Sequence, residues 1–342
     1  MRKDARQNID ANLTRTQRYH EGGSWSDSQA YARMGYENGF NLYTSDRRIP
    51  ILEDLQTLET GKPVRGYAPE IEMESESIIS DDALANVLKF VAFPHFPAHL
   101  FKVQHDGSLG YQIGERPNSA GEYGEWNCPP INTGTAEAIA QPATKEGIRN
   151  MYKAYKALYN DIMPAFGISC TKSGNCGMHV NISIGCFGAT DKTRADAVRK
   201  LYYLVNRRYR LFFSLFNRDT SRTEYCRPDR YTDGRSVDLH GAPSDHHCAF
   251  NLGHYDAGRV EIRAVGGQEN YACFRNTFET IFHLVERVKS IPWDKLDDDV
   301  AVFAGCNQYV LSRLKSHGLE RGLITRENYD AIAATVNREE LL

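Results

Sequence analysis

The chain has 342 residues, of which 41% are hydrophobic and 25% charged, a composition that allows a sizeable buried core. Its formal net charge of −3 gives no global attraction to nucleic acid or to acidic membranes. No apolar run reaches the ~18–20 residues of a membrane span, and residues 1–29 lack the apolar centre of a secretory signal. We therefore expect a soluble, cytoplasmic protein that has neither a membrane nor nucleic acid as its partner.

Residues 1–60 are polar and rich in Arg, Asn, Ser and Gly, with little hydrophobic periodicity. This pattern predicts an extended or partly disordered N-terminal arm, and a partner-binding tail is the alternative. Residues 61–342 are predicted to form a single catalytic domain that ends in helices.

The first predicted strand lies in "GYAPEIEME" (66–74), where Glu70, Glu72 and Glu74 alternate with other residues. Because side chains in a strand have a period of two, these carboxylates are predicted to share one face and to repel each other. Water, a basic partner or metal ions would each offset that repulsion.

The later elements alternate irregularly between helices and strands. Periodicity and turn signals predict helices at 81–93, 144–164, 191–217 and 271–290, strands at 99–110 and 177–185, a hairpin at 248–267, and two short C-terminal helices. This order is typical of an α+β fold with a mostly antiparallel sheet and helices on one face. The sequence has no G-x-G-x-x-G and no P-loop motif, which argues against a Rossmann or P-loop nucleotide site.

The eight cysteines are scattered along a long chain, which favours reduced thiols over a disulfide framework. One group has spacing that could suit zinc, namely Cys170, Cys176 and His179 with the later "DHHC" at 245–248. The spacing is irregular and no paired Cys-x-x-Cys accompanies it. A zinc-dependent hydrolase is nevertheless kept as an alternative.

Several short motifs with ionisable residues follow the opening glutamates. They are "DGSLG" (106–110), "EWNCPP" (125–130), "GMHVN" (177–181) and "RVEIR" (259–263). The last two are predicted strands, in which His179 shares a face with Asn181 and Glu261 shares a face with Arg263. Each is ordinary alone, but together they supply carboxylates for a hard cation such as Mg²⁺ and His and Arg side chains for phosphate oxygens. Phosphoryl transfer without a P-loop needs this combination of groups.

The order of these motifs, with "RDTSRTEYCRP" (218–228) before the last hairpin, resembles the amidoligase family of carboxylate–amine ligases. These are relatives of glutamine synthetase and glutamate–cysteine ligase, and the resemblance covers roughly residues 66–290. It implies a curved, mostly antiparallel sheet, a glutamine synthetase-like half-barrel with helices on its convex face. The implied activity is ATP- and Mg²⁺-dependent formation of an amide bond through an acyl phosphate. The substrates would be a small-molecule or peptide carboxylate and an amine.

The resemblance also implies a role for each matching residue. The metal ligands would be Glu70, Glu72, Glu125 and Glu261. Residues that bind the nucleotide would be His179, Asn181, Arg218 and Arg263. The catalytic residues would be Arg263, Glu72 and Arg222, with Arg218, Arg222 and Tyr225 in the segment that binds a carboxylate or phosphate.

The sequence departs from the family pattern at several points. Cys128 stands where the family has a serine, Ala68 and Pro69 lengthen the opening motif, and the N-terminal arm has no counterpart. Glu74 does not belong to the family pair and is predicted to lie at the solvated sheet rim, with a supporting role behind the ligands as the alternative. A catalytically inactive interaction protein on a ligase scaffold is the second hypothesis, and the oligomeric state, including a homo-oligomer, is left open.

Overall fold

The computed structural model describes residues 66–75, 101–104, 134–140, 145–150, 152–171, 176–220, 226–231, 233–242 and 247–336. The predicted arm (1–60), the predicted helix at 81–93, and Glu125, Arg222 and Tyr225 lie outside the described residues. The prediction of one domain over 61–342 stays a prediction.

The described residues belong to two compact units. Unit 1 contains 68–75, 101–104, 134–140, 149–150, 152–171 and 176–177, and unit 2 contains 66–67, 145–148, 178–220, 226–231, 233–242 and 247–336. Each unit is described by itself.

Unit 1 is built on short antiparallel strands. They are β1 (Tyr67–Ser75, in unit 1 from Ala68), β2 (Phe101–Gln104), β3 (Gly134–Ala140) and β4 (Ile168–Ser169). β3 lies between β2 and β1, and β4 pairs with the end of β1; all of these pairs are antiparallel. The sequence pattern predicts β1 and β2 but not β3, whose Gly- and Ala-rich "GTAEAIA" has low strand propensity.

The predicted helix at 144–164 is present but interrupted. It comprises α1 (Lys145–Asn150), α2 (Tyr152–Ala157), a π-helical turn (Leu158–Ile162) and α3 (Met163–Ala165), which has Pro164 in its first turn. Proline lacks an N–H donor, and this is a physical reason for the irregular hydrogen bonding just before it. Ile148, Tyr155 and Leu158, at helical spacing along this segment, are buried.

Unit 2 contains the remaining strands and most of the helices. The strands are β5 (Gly177–Ser183, in unit 2 from Met178), β6 (Phe250–Asn251) and β7 (Arg259–Gly266). The helices are α4 (Asp191–Arg207), α5 (Tyr209–Leu215), α6 (Tyr271–Val288), α7 (Asp299–Phe303), α8 (Gln308–Arg313) and α9 (Arg326–Ala333). β7 lies between β5 and β6, and its pairing with β6 is antiparallel.

The predicted hairpin of 248–267 is confirmed. The chain turns through Tyr255–Gly258, where Gly258 has a φ of 87°, a left-handed conformation that favours glycine. The predicted helix of 191–217 is divided into α4 and α5 at Arg208, whose φ and ψ of −101° and 29° are not helical. Helices and antiparallel strands coexist in the chain, so the α+β class is confirmed.

No helix in the described part of the chain is long and apolar enough to span a bilayer. The core of unit 2 is instead made by amphipathic helices whose buried stripes include Leu201, Phe212, Phe278 and Ile281.

A buried arginine joins three helical elements of unit 2. Arg313 is 1% exposed, and its Nε donates to the Leu215 carbonyl at 2.6 Å. Its two terminal nitrogens donate to Thr277 Oγ1 at 3.2 Å and to His317 Nε2 at 3.1 Å. Because Nε2 of His317 accepts, Nδ1 carries the proton and donates to Ser316 Oγ at 2.7 Å. The network therefore requires a neutral imidazole.

We expect His317 to make the protein less stable in mild acid. Burial, with the charges of Arg313 and Arg321, lowers the pKa of His317 from 6.5 to about 4. Between these values the unfolded chain binds a proton that the folded chain does not, so stability falls as the pH falls from 6.5 to 4. Discounted for solvent screening of this half-exposed group, the loss is about 1 kcal/mol. Urea unfolding at pH 7 and pH 4.5 should show a smaller loss in His317→Gln than in wild type, whereas His247→Gln should match wild type.

Candidate functional site

Strands β5 and β7 of unit 2 each have an apolar face and a polar face. On β7 the fully buried Val260 and Ile262 alternate with Glu261 and Arg263. On β5 the apolar residues Met178, Val180 and Ile182 alternate with His179, Asn181 and Ser183. Since the strands are neighbours, the sheet holds both polar rows next to each other. The predicted pairing of His179 with Asn181, and of Glu261 with Arg263, on common strand faces is confirmed.

A charged network lies on this polar face. Arg263 donates from one terminal nitrogen to Glu261 Oε1 at 2.7 Å and to His179 Nδ1 at 3.3 Å. The other carboxylate oxygen of Glu261 accepts from Asn251 Nδ2 at 3.0 Å. Asn251 lies directly opposite Glu261 in the β6–β7 register, which explains the contact. The structure thus brings together three of the predicted site residues and adds Asn251, which sequence reasoning missed.

The imidazole of His179 lies beside both the cation and the anion of this network. Its Nδ1 is 3.3 Å from a terminal nitrogen of Arg263 and 3.6 Å from Glu261 Oε1, and the second distance is too long for a strong hydrogen bond. The same Arg263 nitrogen contacts both side chains, so Arg263 bridges them.

The Glu261 carboxylate remains ionised in spite of its burial. Burial alone raises the pKa of a carboxyl, but His179, Arg263 and the Asn251 amide outweigh it and hold the pKa of Glu261 below its ordinary value. Glu261 is 4% exposed, so this negative charge is tied to the network around it. The two carboxylate oxygens of Glu261 accept hydrogen bonds from Arg263 and Asn251. Glu261 can therefore hold the Arg263 guanidinium in place.

Arg218 is brought to the same neighbourhood by the end of β7. Gly266 donates its N–H to the Phe216 carbonyl at 3.0 Å, and a Cβ built on it would lie 2.1 Å from the Asn217 carbonyl oxygen. Only glycine permits this close approach of the two backbones. Arg218 and Arg263 both lie beside the thiol of Cys226, where burial raises the pKa to about 11 although both guanidinium groups lower it. The thiol is therefore protonated at neutral pH.

One atom of Arg218 has no hydrogen-bond partner among the described residues. Its Nε is buried from solvent and donates to no atom there. A buried donor without an acceptor costs about 1–3 kcal/mol, and such a group in a native site calls for an explanation. An anionic ligand with oxygen acceptors would satisfy it.

Asn181 is paired with an arginine of the neighbouring strand. Its carbonyl oxygen accepts a hydrogen bond from the guanidinium of Arg259, at the start of β7. Its role in nucleotide binding stays a prediction. Arg259 lies two residues before Glu261, so the alternation of the strand would have placed it on the polar face, but the sequence analysis did not use it.

In unit 1 the alternation of β1 is also confirmed. Ile71 and Met73 are buried on one face, and Glu70, Glu72 and Glu74 occupy the other. Glu70 is half-buried, whereas Glu72 is 6% exposed and accepts a hydrogen bond from the backbone N–H of Gly177 in the same unit.

The prediction that Glu74 lies at a solvated rim of the sheet is wrong. It is 5% exposed and lies in a part of β1 that is paired on both sides, opposite Thr135 of β3 and Ser169 of β4. The ladder continues past Glu74, so the strand has not yet reached the edge of the sheet there.

A second buried carboxylate faces Glu72 across the ladder. Glu137 of β3 is the direct register partner of Glu72, and carboxylate oxygens of the two residues lie within 4.8 Å of each other. Glu137 is 8% exposed. Like charges directly opposite in an antiparallel pair are unfavourable, and burial increases their repulsion. This pair is the strongest indication of a cation site within unit 1.

Glu137 was missed by the sequence analysis, which assigned the third acid to Glu125. Glu125 lies outside the described residues. The available signal is a lone acid in the otherwise apolar or small stretch "AEAIA" (136–140), but low strand propensity concealed the strand. Opposed carboxylate oxygens are ligands suited to a hard divalent cation, so Glu72 and Glu137 fit Mg²⁺ by donor type.

The zinc cluster considered from the sequence is not found among the described residues. In the described part of the chain, no cysteine belongs to a group of three close potential metal ligands. Burial, Glu74 and Glu72 raise the pKa of the Cys170 thiol, which disfavours the thiolate that zinc requires. His246 lies outside the described residues.

The site residues thus supply two kinds of chemistry. The polar face of unit 2 offers guanidinium donors to an anion, and the carboxylate pair of unit 1 offers oxygen ligands to a cation. Comparison of the chain with models of known protein families gives no match. No curated protein matches its sequence either.

Proposed function

We propose that the protein is an ATP- and Mg²⁺-dependent carboxylate–amine ligase that forms an amide bond through an acyl phosphate. The observation that carries the proposal is the buried Nε of Arg218, which has no acceptor among the described residues and lies in the neighbourhood of the Arg263–Glu261–His179 network. The resemblance of the motif order to amidoligases supplies the reaction class. A curved half-barrel with helices on its convex face, and a cytoplasmic location, are part of this proposal.

Phosphate is the anion that this arrangement suits best. A phosphoryl group offers several acceptor oxygens, and guanidinium groups bind such oxygens with charge-assisted hydrogen bonds. Arg218 would donate from Nε to the phosphate, and Arg263 would donate from the part of its guanidinium that Glu261 does not hold. Cys226, beside both arginines, is a neutral thiol and therefore does not repel the phosphate.

Mg²⁺ fits the acidic pair of unit 1. Glu72 and Glu137 would hold the ion through carboxylate oxygens. Glu70, on the same face of β1 as Glu72, would be a further ligand. Mg²⁺, when bound, neutralises phosphate charge during phosphoryl transfer.

The side chains of this chain have separate tasks in the proposed reaction. Arg263 would stabilise charge on the transferring phosphoryl group, and Glu261 with Asn251 would keep its guanidinium in position. His179 would donate from Nε2 to a phosphate oxygen. The transfer makes the substrate carboxylate an acyl phosphate, the amine then forms the amide bond, and inorganic phosphate leaves.

The direct test is ADP release by the full chain. Purified protein with ATP and Mg²⁺ should release ADP and phosphate only when both a carboxylate and an amine are present. Pools of amino acids, small acids and peptides would supply both substrate classes. Release that depends on a single component, or the absence of release from every pool together with no ATP binding, would contradict the proposal.

We expect Arg218→Met to weaken the binding of ATP about tenfold or more, because hydrogen bonds to charged groups contribute about 1.5–3 kcal/mol. Arg210→Met is the matched control, because Arg210 is an exposed arginine on α5 of the same unit. Isothermal titration calorimetry with ATP in the absence of Mg²⁺ measures the affinity of both variants. Circular dichroism checks that each variant is folded. Equal affinity in Arg218→Met and wild type would remove Arg218 from the proposed site.

A catalytically inactive scaffold is the remaining alternative. It predicts that ATP binding is undetectable at millimolar concentration, or that ATP binds and is never turned over. The zinc-dependent hydrolase is disfavoured by the thiol environment of Cys170 and by the arrangement of the described cysteines. Metal analysis of protein purified without chelators tests it, because stoichiometric zinc would be required.

A further inference from the structure

A cavity of about 350 Å³ lies within unit 2, away from the polar face of β5 and β7. Its walls include the aromatic rings of Tyr202 and Phe250 and the side chain of Leu252, and its polar edge includes Asp238, His240 and Cys248. This volume lies at the small end of the range for ligand pockets. It suits a molecule of roughly amino-acid size with an apolar or aromatic body.

The cavity is on the opposite side of β6 from the charged network. Phe250 lines the cavity, whereas its neighbour Asn251 donates to Glu261 on the polar face. Successive side chains of a strand point to opposite faces, so the strand itself separates the two places. A ligand in the cavity is therefore not the phosphate that Arg218 and Arg263 would bind.

The polar edge of the cavity is held in one arrangement. The Asp256 carboxylate accepts from His240 Nδ1 at 2.7 Å and from the Gly241 N–H at 2.8 Å. His240 also packs edge-on against Tyr255, with ring centroids 5.3 Å apart. Asp238 accepts from the His240 N–H at 3.1 Å, which fixes the carboxylate at the turn. The edge is thus anchored to the 255–258 turn.

The aromatic wall has a carboxylate behind it. Tyr202 donates its hydroxyl to Asp229 Oδ2 at 2.6 Å. Tyr202 and Phe250, both buried, pack edge to face with centroids 5.8 Å apart. The carboxylate behind Tyr202 and the aromatic rings of the wall both favour a positively charged ligand.

The charges around the cavity also favour a cation. Asp229, Asp238 and Asp256 are carboxylates at or behind the described lining residues, among which His240 is the one basic side chain. Two arginines adjoin this lining: Arg199, whose Nε donates to the Val237 carbonyl at 3.0 Å, and Arg227, whose backbone is bridged to that of Cys248. An anionic ligand would meet carboxylates at the edge of the cavity.

From these observations we propose that the cavity binds a small primary amine in its ammonium form, with an aromatic or branched apolar body. The apolar part would lie against Tyr202, Phe250 and Leu252, and the ammonium would lie toward Asp238. This inference goes beyond the ligase proposal and does not depend on it.

Phenethylamine is a suitable probe, with 3-phenylpropionate as the probe of the same body and opposite charge. Ligand-observed NMR or calorimetry on the full chain should show binding of the amine and at least tenfold weaker binding of the carboxylate. Asp238→Asn should weaken amine binding about threefold to fivefold, the range expected for an exposed ion pair. Asp191→Asn, whose side chain is 98% exposed elsewhere on unit 2, is the matched control and should bind like wild type.

Cys248 provides a second readout, independent of any activity. It is a partly exposed thiol of the lining, so bound phenethylamine should slow its alkylation by iodoacetamide, measured by peptide mass spectrometry. Cys273, a partly exposed thiol that is not part of the lining, should react at the same rate with and without the amine. Equal binding of the amine and the carboxylate, or no protection of Cys248 at saturating amine, would overturn the proposal.

The same probe distinguishes a substrate from an effector. If the bound amine enters a product with ADP release, the cavity receives the amine substrate of the ligase. If it binds and is recovered unchanged while Cys248 is protected, the cavity is a separate amine site. Both outcomes support amine binding, and only the first also supports the ligase.

Discussion

Glu137→Gln is expected to stabilise the metal-free protein while it removes activity. The change neutralises one member of the buried Glu72–Glu137 pair, whose carboxylate oxygens lie within 4.8 Å of each other. Relief of the like-charge contact should raise the free energy of unfolding by about 1 kcal/mol without Mg²⁺. In the proposed ligase the same change removes an oxygen ligand, so turnover should fall about a hundredfold or more.

Three measurements separate these effects. Thermal unfolding in EDTA gives the metal-free stability, the increase in melting temperature with added Mg²⁺ gives ion binding, and ADP release gives turnover. Glu72→Gln should behave like Glu137→Gln, because the two residues are register partners. Glu286→Gln, an exposed glutamate of α6, is the control that should leave all three readouts unchanged.

The opposite pattern would contradict the assignment. If Glu137→Gln lowers the melting temperature in EDTA and retains the full Mg²⁺ response, Glu137 has a structural role and is not a metal ligand. The stability measurement does not require a known substrate, so this prediction can be tested before the carboxylate and amine are identified.

Arg263→Met is expected to cost both stability and activity. It removes the guanidinium that donates to the buried Glu261 carboxylate at 2.7 Å. Removing one partner of a buried ion pair costs about 3 kcal/mol, because the remaining charge loses its compensation. Turnover of the proposed ligase should fall about a thousandfold, as expected when an arginine that stabilises the transferring phosphoryl group is lost.

A double variant separates the two contributions. Glu261→Gln with Arg263→Met removes the uncompensated charge, so it should recover part of the stability that Arg263→Met loses. Turnover should remain low, because the positively charged guanidinium of Arg263 is still absent. Recovery of turnover together with stability would show that Arg263 acts only by supporting the fold.

The pH dependence of stability gives an independent check on Glu261. Burial raises its pKa, but His179, Arg263 and Asn251 together hold the pKa below the ordinary value. A carboxyl with a lowered pKa contributes stability above its unfolded-state pKa and loses it as the pH falls through the folded-state pKa. In Arg263→Met the burial remains and one stabilising cation is gone, so acid unfolding should begin at a higher pH than in wild type.

The sequence predicted those features of the site that depend on local spacing. Period-two alternation placed Glu70, Glu72 and Glu74 on one face of β1, and it placed His179 with Asn181 and Glu261 with Arg263 on common faces. These predictions depend only on residues two apart in one strand. The hairpin and α6 also depend on local signals, a turn for the hairpin and a period of 3.6 residues for the helix, and both were predicted close to their observed bounds. The α+β class followed from the order of such elements.

The tertiary structure decided which strands meet and in which register. Glu137 faces Glu72 because β3 pairs with β1 across the 58 residues of segment 76–133, and no local pattern encodes that register. Glu74 is buried because β4 extends the pairing, although alternation alone could not distinguish a covered strand end from an exposed one. Arg218 reaches the neighbourhood of Arg263 through the backbone contact at Gly266. The sequence by itself therefore determined which side chains share a strand face, and only the folded chain determined which charges face each other, because non-local pairing depends on the whole packed sheet.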